Sequence, residues 1–327
     1  MRAAFYETTG PAREVLRVGE LPDPVPGDGE VRVRLQWSGI NPSDVKSRAG
    51  LRSKTLAFPR IVPHSDGMGI VDAVGPGVDS TRIGERVWIW NAAWGRAFGT
   101  AAELITLTAA QAVPLPDAID GAAAACFGIP AQTALHAVLT AGGVRGQRVL
   151  VAGGAGAVGH YAIQFARLHG ARQVLATVSS DAKAAHARAA GADTCIDYKL
   201  ENVVERVREL TGGEGLDRVI EVDMATNAGL NSELLKRDAL CVVYGSSAAA
   251  MTLPFFPYIA KNLRVHCFIE YNLNEADRAR VLAEMALAQG VLRHSVALRL
   301  PLERIAEAHE AVESGGVIGN VVIDLQT

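Results

Sequence analysis

The chain has 327 residues, of which 49% are hydrophobic and 20% are charged, and its formal net charge is −3. At about 150 residues per domain, this length predicts two domains, each large enough to bury a core. The composition excludes an intrinsically disordered protein. A charge this close to neutral argues against nucleic acid or another polyphosphate as a partner.

The cysteines give little sign of a metal site or of secretion. Cys126, Cys195, Cys241 and Cys267 include no C-x-x-C pair and have no His at ligand spacing. This pattern predicts neither a zinc knuckle nor a disulfide framework, and it favours a reducing compartment. No apolar segment precedes a small-residue cleavage site near the first residue, so we expect no secretory signal and a cytoplasmic protein.

Before about residue 120 the hydrophobic residues alternate in short runs bounded by Gly, Pro, Asn and Asp, which is typical of half-buried antiparallel strands. The candidate strands are Glu30–Trp37, Gly69–Gly75, Arg86–Trp90 and Ala101–Leu107. This part of the chain therefore predicts a small β-barrel or sandwich.

The longest stretch without Asp, Glu, Lys or Arg follows, at residues 121–144, and its length alone would allow a membrane span. Pro130, Gln132, Thr133 and His136 interrupt the stretch. Small residues punctuated by Gly and Pro predict a buried loop and helix instead, and we expect no membrane span.

From residue 149 onward, short apolar runs alternate with helical patterns, which is the signature of βαβ units and a parallel sheet. Six candidate strands make a complete doubly wound domain: Val149–Val151, Val174–Val178, Thr194–Asp197, Val219–Val222, Leu240–Val243 and Val265–Phe268.

Four further elements are predicted beyond residue 271. They are a helix near Glu275–Gln289, a strand near Val296–Leu300, a helix near Leu302–Ser314 and a strand at Asn320–Leu325. They have no sheet of their own, so we expect them to return to the first domain.

The strongest chemical signal is a glycine pattern between the first strand of the parallel sheet and the helix that follows it. Gly154, Gly156 and Gly159 satisfy G-x-G-x-x-G. We expect Gly154 to permit the tight turn, Gly156 to let the backbone approach a pyrophosphate, and Gly159 to let helix and strand pack closely. The candidate cofactor contacts in this loop are Gly154, Ala155, Gly156, Ala157, Val158 and Gly159.

The end of the next strand indicates which dinucleotide binds. An NAD site would place an acid at the strand tip, but the chain continues from Val178 with Ser179 and Ser180. Two hydroxyls and the cation of Lys183 suit a 2′-phosphate, which favours NADPH. Two observations leave an alternative open: Asp181 lies close enough to reach a ribose after a small register shift, and either serine is an ordinary helix N-cap.

With these residues in view, the chain resembles the medium-chain dehydrogenase/reductase superfamily and, within it, the zinc-free quinone oxidoreductase (zeta-crystallin-like) branch. The resemblance covers nearly the whole length and rests on five motifs in order: SGINPSDVKSRAG, VPHSDGMGIVDAVGPGV, FGIPAQTALHAV, VAGGAGAVGHYAIQFARLHGA and AGADTCIDY. It implies an α/β chain with a GroES-like β-rich catalytic domain, residues 1–121 and 270–327, around a Rossmann NADP-binding domain, residues 122–269.

Metal-dependent relatives hold a catalytic zinc on Cys, His and Cys, and the matching positions here are Asn41, Ser65 and Ile129. None of these side chains is a good zinc ligand. His64 is one residue out of register and Cys126 three residues early, so we expect both to be structural and the protein to bind no metal.

Without a Lewis acid, the chemistry suits an acceptor that takes hydride readily, such as a quinone or an activated alkene. The resemblance puts Asn41 beside the nicotinamide and substrate, with Asp44 a few residues on. Lys46 stands where enone-reducing relatives often carry Lys, and its cation would stabilise an enolate or hydroquinone anion. The alternative is that Asn41 caps a turn before Pro42 and that Lys46 is solvated.

The resemblance also implies further cofactor contacts. Lys183 and Tyr198 match residues that border the 2′-phosphate, and Thr133 matches a threonine near the cofactor. The segment under the nicotinamide contributes Tyr244, Gly245 and Ser246. One departure is Asn320, because relatives usually carry a basic residue there.

Two aromatic groups are candidates for stacking a flat substrate, although core packing explains each residue as well. They are Trp88, Trp90 and Trp94, and Phe255, Phe256 and Tyr258.

Together these patterns predict a metal-free, NADPH-dependent oxidoreductase that transfers hydride to a quinone or another conjugated carbonyl acceptor. One alternative is an enoyl-thioester or 2-alkenal reductase, and another is an NADPH-binding structural or regulatory protein without turnover. The resemblance also implies a homodimer that pairs through the edge strand Val265–Phe268.

Overall fold

A computed structural model describes residues 1–326. The strands of these residues are, in chain order, β1 (Arg2–Phe5), β2 (Arg17–Glu20), β3 (Glu30–Ile40), β4 (Asp66–Val74), β5 (Arg86–Ile89), β6 (Leu104–Thr108), β7 (Ala112–Pro114), β8 (Arg148–Val151), β9 (Gln173–Val178), β10 (Thr194–Asp197), β11 (Leu216–Glu221), β12 (Leu235–Val243), β13 (Arg264–Cys267), β14 (Val296–Pro301) and β15 (Asn320–Asp324).

The α-helices of the same residues are α1 (Ala12–Val15), α2 (Pro42–Arg48), α3 (Gly121–Ala124), α4 (Gln132–Leu139), α5 (Ala157–Leu168), α6 (Asp181–Ala189), α7 (Val203–Thr211), α8 (Met224–Leu234), α9 (Phe255–Ala260), α10 (Glu275–Ala288) and α11 (Ile305–Glu313). A π-helical turn, Phe127–Ala131, with Pro130 inside it, precedes α4.

The chain divides into two compact units. The first consists of residues 1–130 and the segment from residue 294 onward, and the second of residues 131–293. Each unit has its own sheet and its own hydrophobic core.

The first unit is built around β3. This long strand pairs with β4, β6 and β15, all antiparallel, within a seven-stranded sheet whose main path is β14-β15-β3-β4-β5-β7. Val31, Val33 and Leu35 recur at every second position of β3, so they share one face and are buried in a core with residues of β4, β5 and β6. The predicted alternating strands therefore form one antiparallel β-rich unit.

The C-terminal segment completes this first unit. β14 and β15 are parallel to each other, and β15 adds to β3 at the register Val321↔Ile40. The helix between these two strands, α11, packs on β15 and against α1 and α2. Three of the four elements that lacked a sheet of their own in the sequence, the last two strands and the helix between them, thus join the N-terminal strands.

The second unit contains six parallel strands in the order β10-β9-β8-β11-β12-β13. Numbered within the unit this is 3-2-1-4-5-6, the doubly wound order of a Rossmann domain, in which ligands bind at the carboxyl ends of the strands. The predicted fold class is confirmed, and all six predicted strands form.

The boundaries between the units differ from those expected at 121/122 and 269/270, and lie at 130/131 and 293/294 instead. The reason is that α10, expected with the catalytic domain, packs against α4 of the second unit. Its buried Arg278 forms an ion pair with Glu270 and donates to Oε1 of Gln132 at 2.7 Å. These polar contacts anchor residues 270–288 to the Rossmann unit.

The uncharged stretch at residues 121–144 folds into α3, the π-helical turn and α4, and every residue of α4 is buried. Within residues 1–326, no helix combines the length and the apolar character that a bilayer span requires.

Candidate active site

The glycine loop joins β8 to α5. Gly153, rather than Gly154, adopts the left-handed conformation of the turn, with φ of +66°, so the expected role of Gly154 in the turn passes to its neighbour. The loop is held to the next strand because Thr177 accepts from the N–H of Gly153 through Oγ1 and from the N–H of Gly154 through its carbonyl, both at 3.0 Å.

The glycines of this loop also allow close packing. A Cβ on Gly159 would lie 2.3 Å from the carbonyl oxygen of Gly153, and one on Gly154 would lie 2.6 Å from Cβ of Ala176. The helix α5 begins after Gly156, and no side chain caps its first N–H groups. Twelve residues of aligned peptide dipoles, with N–H groups that no side chain caps, suit an anion at the start of α5, the segment that holds the predicted contacts Ala155, Ala157 and Val158.

A polar group lies at the carboxyl end of β9. Nζ of Lys183 donates to Oγ of Ser179 at 3.2 Å, and Oγ of Ser180 accepts from the N–H of Lys183 at 3.3 Å. Ser180 is therefore the N-cap of α6, as the alternative interpretation held, while Lys183 turns its charge toward Ser179. Tyr198 joins this group because its N–H donates to the carbonyl of Val178, and its side chain is 54% exposed.

The loop after β12 approaches β11 of the same unit. The N–H of Tyr244 donates to the carbonyl of Glu221, and the carbonyl of Gly245 accepts from the N–H of Met224. Burial and the carboxylate of Glu221 raise the pKa of Tyr244. Ser246 bonds within the loop, to the carbonyl of Ala248. Thr133 lies elsewhere in the unit, buried on α4. Of the predicted cofactor contacts, the structure brings together those that follow β8, β9 and β10, at the carboxyl ends of these three neighbouring strands.

In the first unit, Asn41 directly follows the last residue of β3 and is the N-cap of α2. The N–H of Asn41 donates to Oδ2 of Asp44 at 2.8 Å, so the carboxylate of Asp44 caps the start of the helix. Burial raises the pKa of Asp44 to about 7, against the opposing effects of the Asn41 N–H and the Arg52 charge. Lys46 follows two residues later in α2 and is half-buried.

The side chain of Asn41 is fixed by a residue that the sequence analysis did not assign. Nδ2 of Asn41 donates to Oδ2 of Asp66 at 2.7 Å. The N–H of Ile129 lies 2.9 Å from both carboxylate oxygens of Asp66. Asp66 is fully buried at the start of β4. An acid placed among small and apolar residues in VPHSDGMG is the signal that could have found it.

The positions that match zinc ligands are therefore linked by hydrogen bonds: Asn41 and Ile129 share the carboxylate of Asp66, and Ser65 precedes it. In the part of the chain that the structure describes, no group of three or more His, Cys, Asp or Glu side chains could hold a metal ion.

Comparisons with known proteins agree with this architecture. Residues 27–117 match the alcohol dehydrogenase GroES-like domain, and residues 157–286 match the zinc-binding dehydrogenase family. A quinone oxidoreductase of Rattus norvegicus is 28% identical, with 99% of this chain and 97% of that protein aligned. A 2-haloacrylate reductase of a Burkholderia species is 30% identical over 99% and 98% of the two chains.

A solved structure of Escherichia coli quinone oxidoreductase complexed with NADPH has a TM-score of 0.87 and 27% identity, over 99% of this chain and all of that one. The chain belongs to the medium-chain dehydrogenase/reductase superfamily, in its quinone oxidoreductase (zeta-crystallin-like) branch.

Three residues that depart from the pattern of this superfamily have structural partners. His64 is fully buried, with Nδ1 2.8 Å from Oγ of Ser38 and Nε2 2.9 Å from Nε2 of His309. Burial raises the pKa of the Cys126 thiol, whose Sγ contacts the carbonyl of Ala122 at 3.5 Å. Asn320 donates through Nδ2 to the carbonyl of Ser295.

The aromatic candidates of this superfamily member divide by burial. Trp88 is a core residue, packed edge-on against Phe127 at 5.9 Å between ring centroids. Tyr258 is buried and donates through its hydroxyl to the carbonyl of Ala228. By contrast, Trp94, Phe255 and Phe256 are exposed.

Proposed function

We propose that the chain is a metal-free NADPH-dependent reductase that delivers hydride to a quinone or to the β-carbon of a conjugated carbonyl compound. Membership of the superfamily and the NADPH-bound E. coli relative support a nicotinamide-dependent oxidoreductase. The observation that carries the choice of acceptor is the Asn41–Asp66 pair, because a neutral amide held by a carboxylate occupies the position of a zinc ligand.

The preference for NADPH over NADH rests on the end of β9. The strand tip carries Ser179 and a lysine ammonium instead of an acid, and the exposed ring of Tyr198 lies at the same end of the sheet. A 2′-phosphate carries about two negative charges and several acceptor oxygens, which suit a hydroxyl and an ammonium group. Asp181 is the counter-candidate, an exposed acid in the first turn of α6.

The residues present fit a dinucleotide: α5 would hold the pyrophosphate on its N-terminal N–H groups, and Lys183 with Ser179 would hold the 2′-phosphate. When bound, the dihydronicotinamide supplies hydride. The reaction then needs one proton to balance, since quinone, hydride and H⁺ give the hydroquinone.

In the catalytic unit, we assign three roles. Asn41 contacts the nicotinamide or the substrate and orients it. Asp44 holds the backbone of Asn41 through the 2.8 Å hydrogen bond. Lys46 supplies a positive charge for the oxyanion that develops on an enolate or hydroquinone.

The test is a panel of acceptors with NADPH and with NADH: a p-quinone, a 2-alkenal and an enoyl-CoA. We expect NADPH oxidation with the p-quinone, and a higher kcat/KM with NADPH than with NADH. Oxidation of NADPH by none of the three acceptors would overturn the proposal, and tight NADPH binding without turnover would then favour the structural or regulatory alternative.

An enoyl thioester or a 2-alkenal is the second candidate acceptor. The Burkholderia relative is named a 2-haloacrylate reductase, whose substrate is an activated alkene. A higher kcat/KM for the 2-alkenal or the enoyl-CoA than for the quinone would select this candidate. Lys46→Met should then lower kcat about tenfold or more, since an enolate oxygen would lose its cation.

We also propose a homodimer that forms through β13. This strand is the edge of the six-stranded sheet, and its residues are exposed or half-buried. Pairing with the same strand of a second copy would cover the edge across a two-fold axis. Sedimentation should give a dimer for the wild type and a monomer for Val265→Pro; a wild-type monomer would overturn this proposal.

A further inference from the structure

Asp66 is a fully buried carboxylate that meets both Asn41 and the π-helical turn. Its Oδ2 accepts from Nδ2 of Asn41 at 2.7 Å, and both oxygens lie 2.9 Å from the N–H of Ile129. The exposure of Asp66 is 0%. A buried carboxylate surrounded by N–H donors is a strong acceptor and holds its partners in fixed geometry.

The chemistry of the pair fixes which end of the Asn41 amide faces Asp66. A side-chain amide has a donor end and an acceptor end of nearly equal shape, so its orientation depends on its partners. An ionised carboxylate only accepts. The NH₂ group of Asn41 is therefore held on Asp66, and its side-chain oxygen is turned to the N–H of Asp44 in the capping box of α2.

The surrounding backbone is shaped to admit this carboxylate. The N–H of Ile129 is directed to Asp66 in a five-residue π-helical turn, and such turns free backbone groups that a regular α-helix would use internally. Gly128 leaves the necessary space, because a Cβ there would lie 2.0 Å from Oδ1 of Asp66. The π-helical turn and Gly128 thus both accommodate the carboxylate of Asp66.

We infer that Asp66 is a positioning residue for hydride transfer, which acts by fixing the side-chain amide of Asn41 in one orientation. The inference rests on the proposed function, since Asn41 is the group that would contact the nicotinamide or the substrate. Asp66 itself need not touch either of them.

A double-mutant cycle tests this inference. The variants are Asp66→Ala, Asn41→Ala and the double variant, with Asp66→Asn as the variant of equal size. Asp72→Asn is the matched control, because Asp72 is also on β4 but pairs with Arg32 at 2.8 Å and with Arg34. The readouts are kcat and KM for NADPH and for the accepted quinone or alkene, corrected for the fraction of protein that binds NADPH.

We expect Asp66→Ala to lower kcat about tenfold or more with KM changed less than about threefold, as for the loss of a charge-assisted hydrogen bond that orients a reactant. In the Asn41→Ala background the same change should cost less than about twofold, because its target is gone. Asp72→Asn should keep wild-type kcat. Equal effects of Asp66→Ala in both backgrounds, or an unchanged kcat, would overturn the inference.

A second measurement does not depend on turnover. The side-chain NH₂ resonance of Asn41, identified by its loss in Asn41→Ala, should show slow hydrogen exchange in the wild type and fast exchange in Asp66→Ala, where the acceptor is removed. An unchanged exchange rate in Asp66→Ala would overturn the inference. If none of the three acceptors oxidises NADPH with the wild type, the proposed function is overturned instead, while this resonance still reports whether Asp66 holds Asn41.

Discussion

Nε2 of His64 lies 2.9 Å from Nε2 of His309, and both rings are fully buried in the first unit. The hydrogen bonds around the pair fix its protons. Oγ1 of Thr100 donates to the carbonyl of Asp66 at 2.5 Å, so it must accept from Ser38, 2.8 Å away. Ser38 then accepts from Nδ1–H of His64, whose Nε2 accepts from Nε2–H of His309.

This series of hydrogen bonds predicts the tautomers of both histidines and the effect of substitution at residue 309. Nitrogen NMR shifts should show a neutral His64 protonated on Nδ1 and a neutral His309 protonated on Nε2. His309→Phe should lower the free energy of unfolding by about 1–3 kcal/mol, because it leaves a buried acceptor without a donor. His309→Gln, which can still donate, should cost less in the same urea titration; equal losses would contradict this network.

The same pair predicts an acid limit to stability. Burial lowers the pKa of His309 to about 3, and burial together with His309 lowers the pKa of His64 far below its ordinary value. Unfolded histidines bind protons below about pH 6.5 while the folded ones do not, so this stability is complete above pH 6.5 and is lost as the pH falls.

Asp44 predicts the opposite trend. Burial raises its pKa from 3.8 to about 7, so the folded state binds more protons than the unfolded state between these values. The cost of burying the carboxylate is absent below about pH 4 and is complete above pH 7, where it reaches roughly 4 kcal/mol. The urea midpoint of Asp44→Asn minus that of the wild type should therefore be more positive at pH 8 than at pH 5. A difference between the two proteins that does not change with pH would contradict the assignment.

Much of the second unit could be predicted because its signals are local. Each strand of the Rossmann sheet is a short apolar run, and Gly159 is required by a contact only six residues back, at Gly153. The resemblance supplied the order of the domains. It did not supply the boundary at 293/294, which depends on α10 packing against α4, far away in the sequence.

The part that could not be predicted is held by contacts between distant residues. Asp66 and Ile129 are 63 positions apart and Asn41 and Asp66 are 25 apart, so no periodicity reveals that they meet. The π-helical turn was also hidden, because Pro130 in a run of small residues indicates only a loop or helix start. The left-handed conformation of Gly153, which was expected at Gly154, likewise depends on the folded backbone and not on the glycine pattern.

Gly128 provides a prediction about the carboxylate of Asp66 that leaves Asp66 unchanged. In Gly128→Ala the new methyl group would lie 2.0 Å from Oδ1 and displace the carboxylate. We expect kcat to fall about tenfold or more, and the free energy of unfolding to fall by about 1–3 kcal/mol. The matched control is Gly229→Ala in α8, where a Cβ meets nothing within 4 Å and should stabilise the helix by up to about 1 kcal/mol. Wild-type kcat in Gly128→Ala would contradict the expected role of this glycine.

Lys183 predicts how the protein distinguishes the two nicotinamide cofactors. Its Nζ lies 3.2 Å from Oγ of Ser179, and a 2′-phosphate at this site would receive a charge-assisted hydrogen bond from it. Losing such a bond costs about 1.5–3 kcal/mol, so Lys183→Ala should raise the Kd for NADPH roughly 10- to 100-fold and leave the Kd for NADH within about threefold. The control is Lys236→Ala, because Lys236 pairs with Asp217 at 2.5 Å at the start of β12 and not at the strand tips. Calorimetric titration of the wild type and the two variants with each cofactor measures all six affinities. If Lys183→Ala leaves NADPH binding unchanged, the 2′-phosphate is held by other residues, and the preference for NADPH loses its basis.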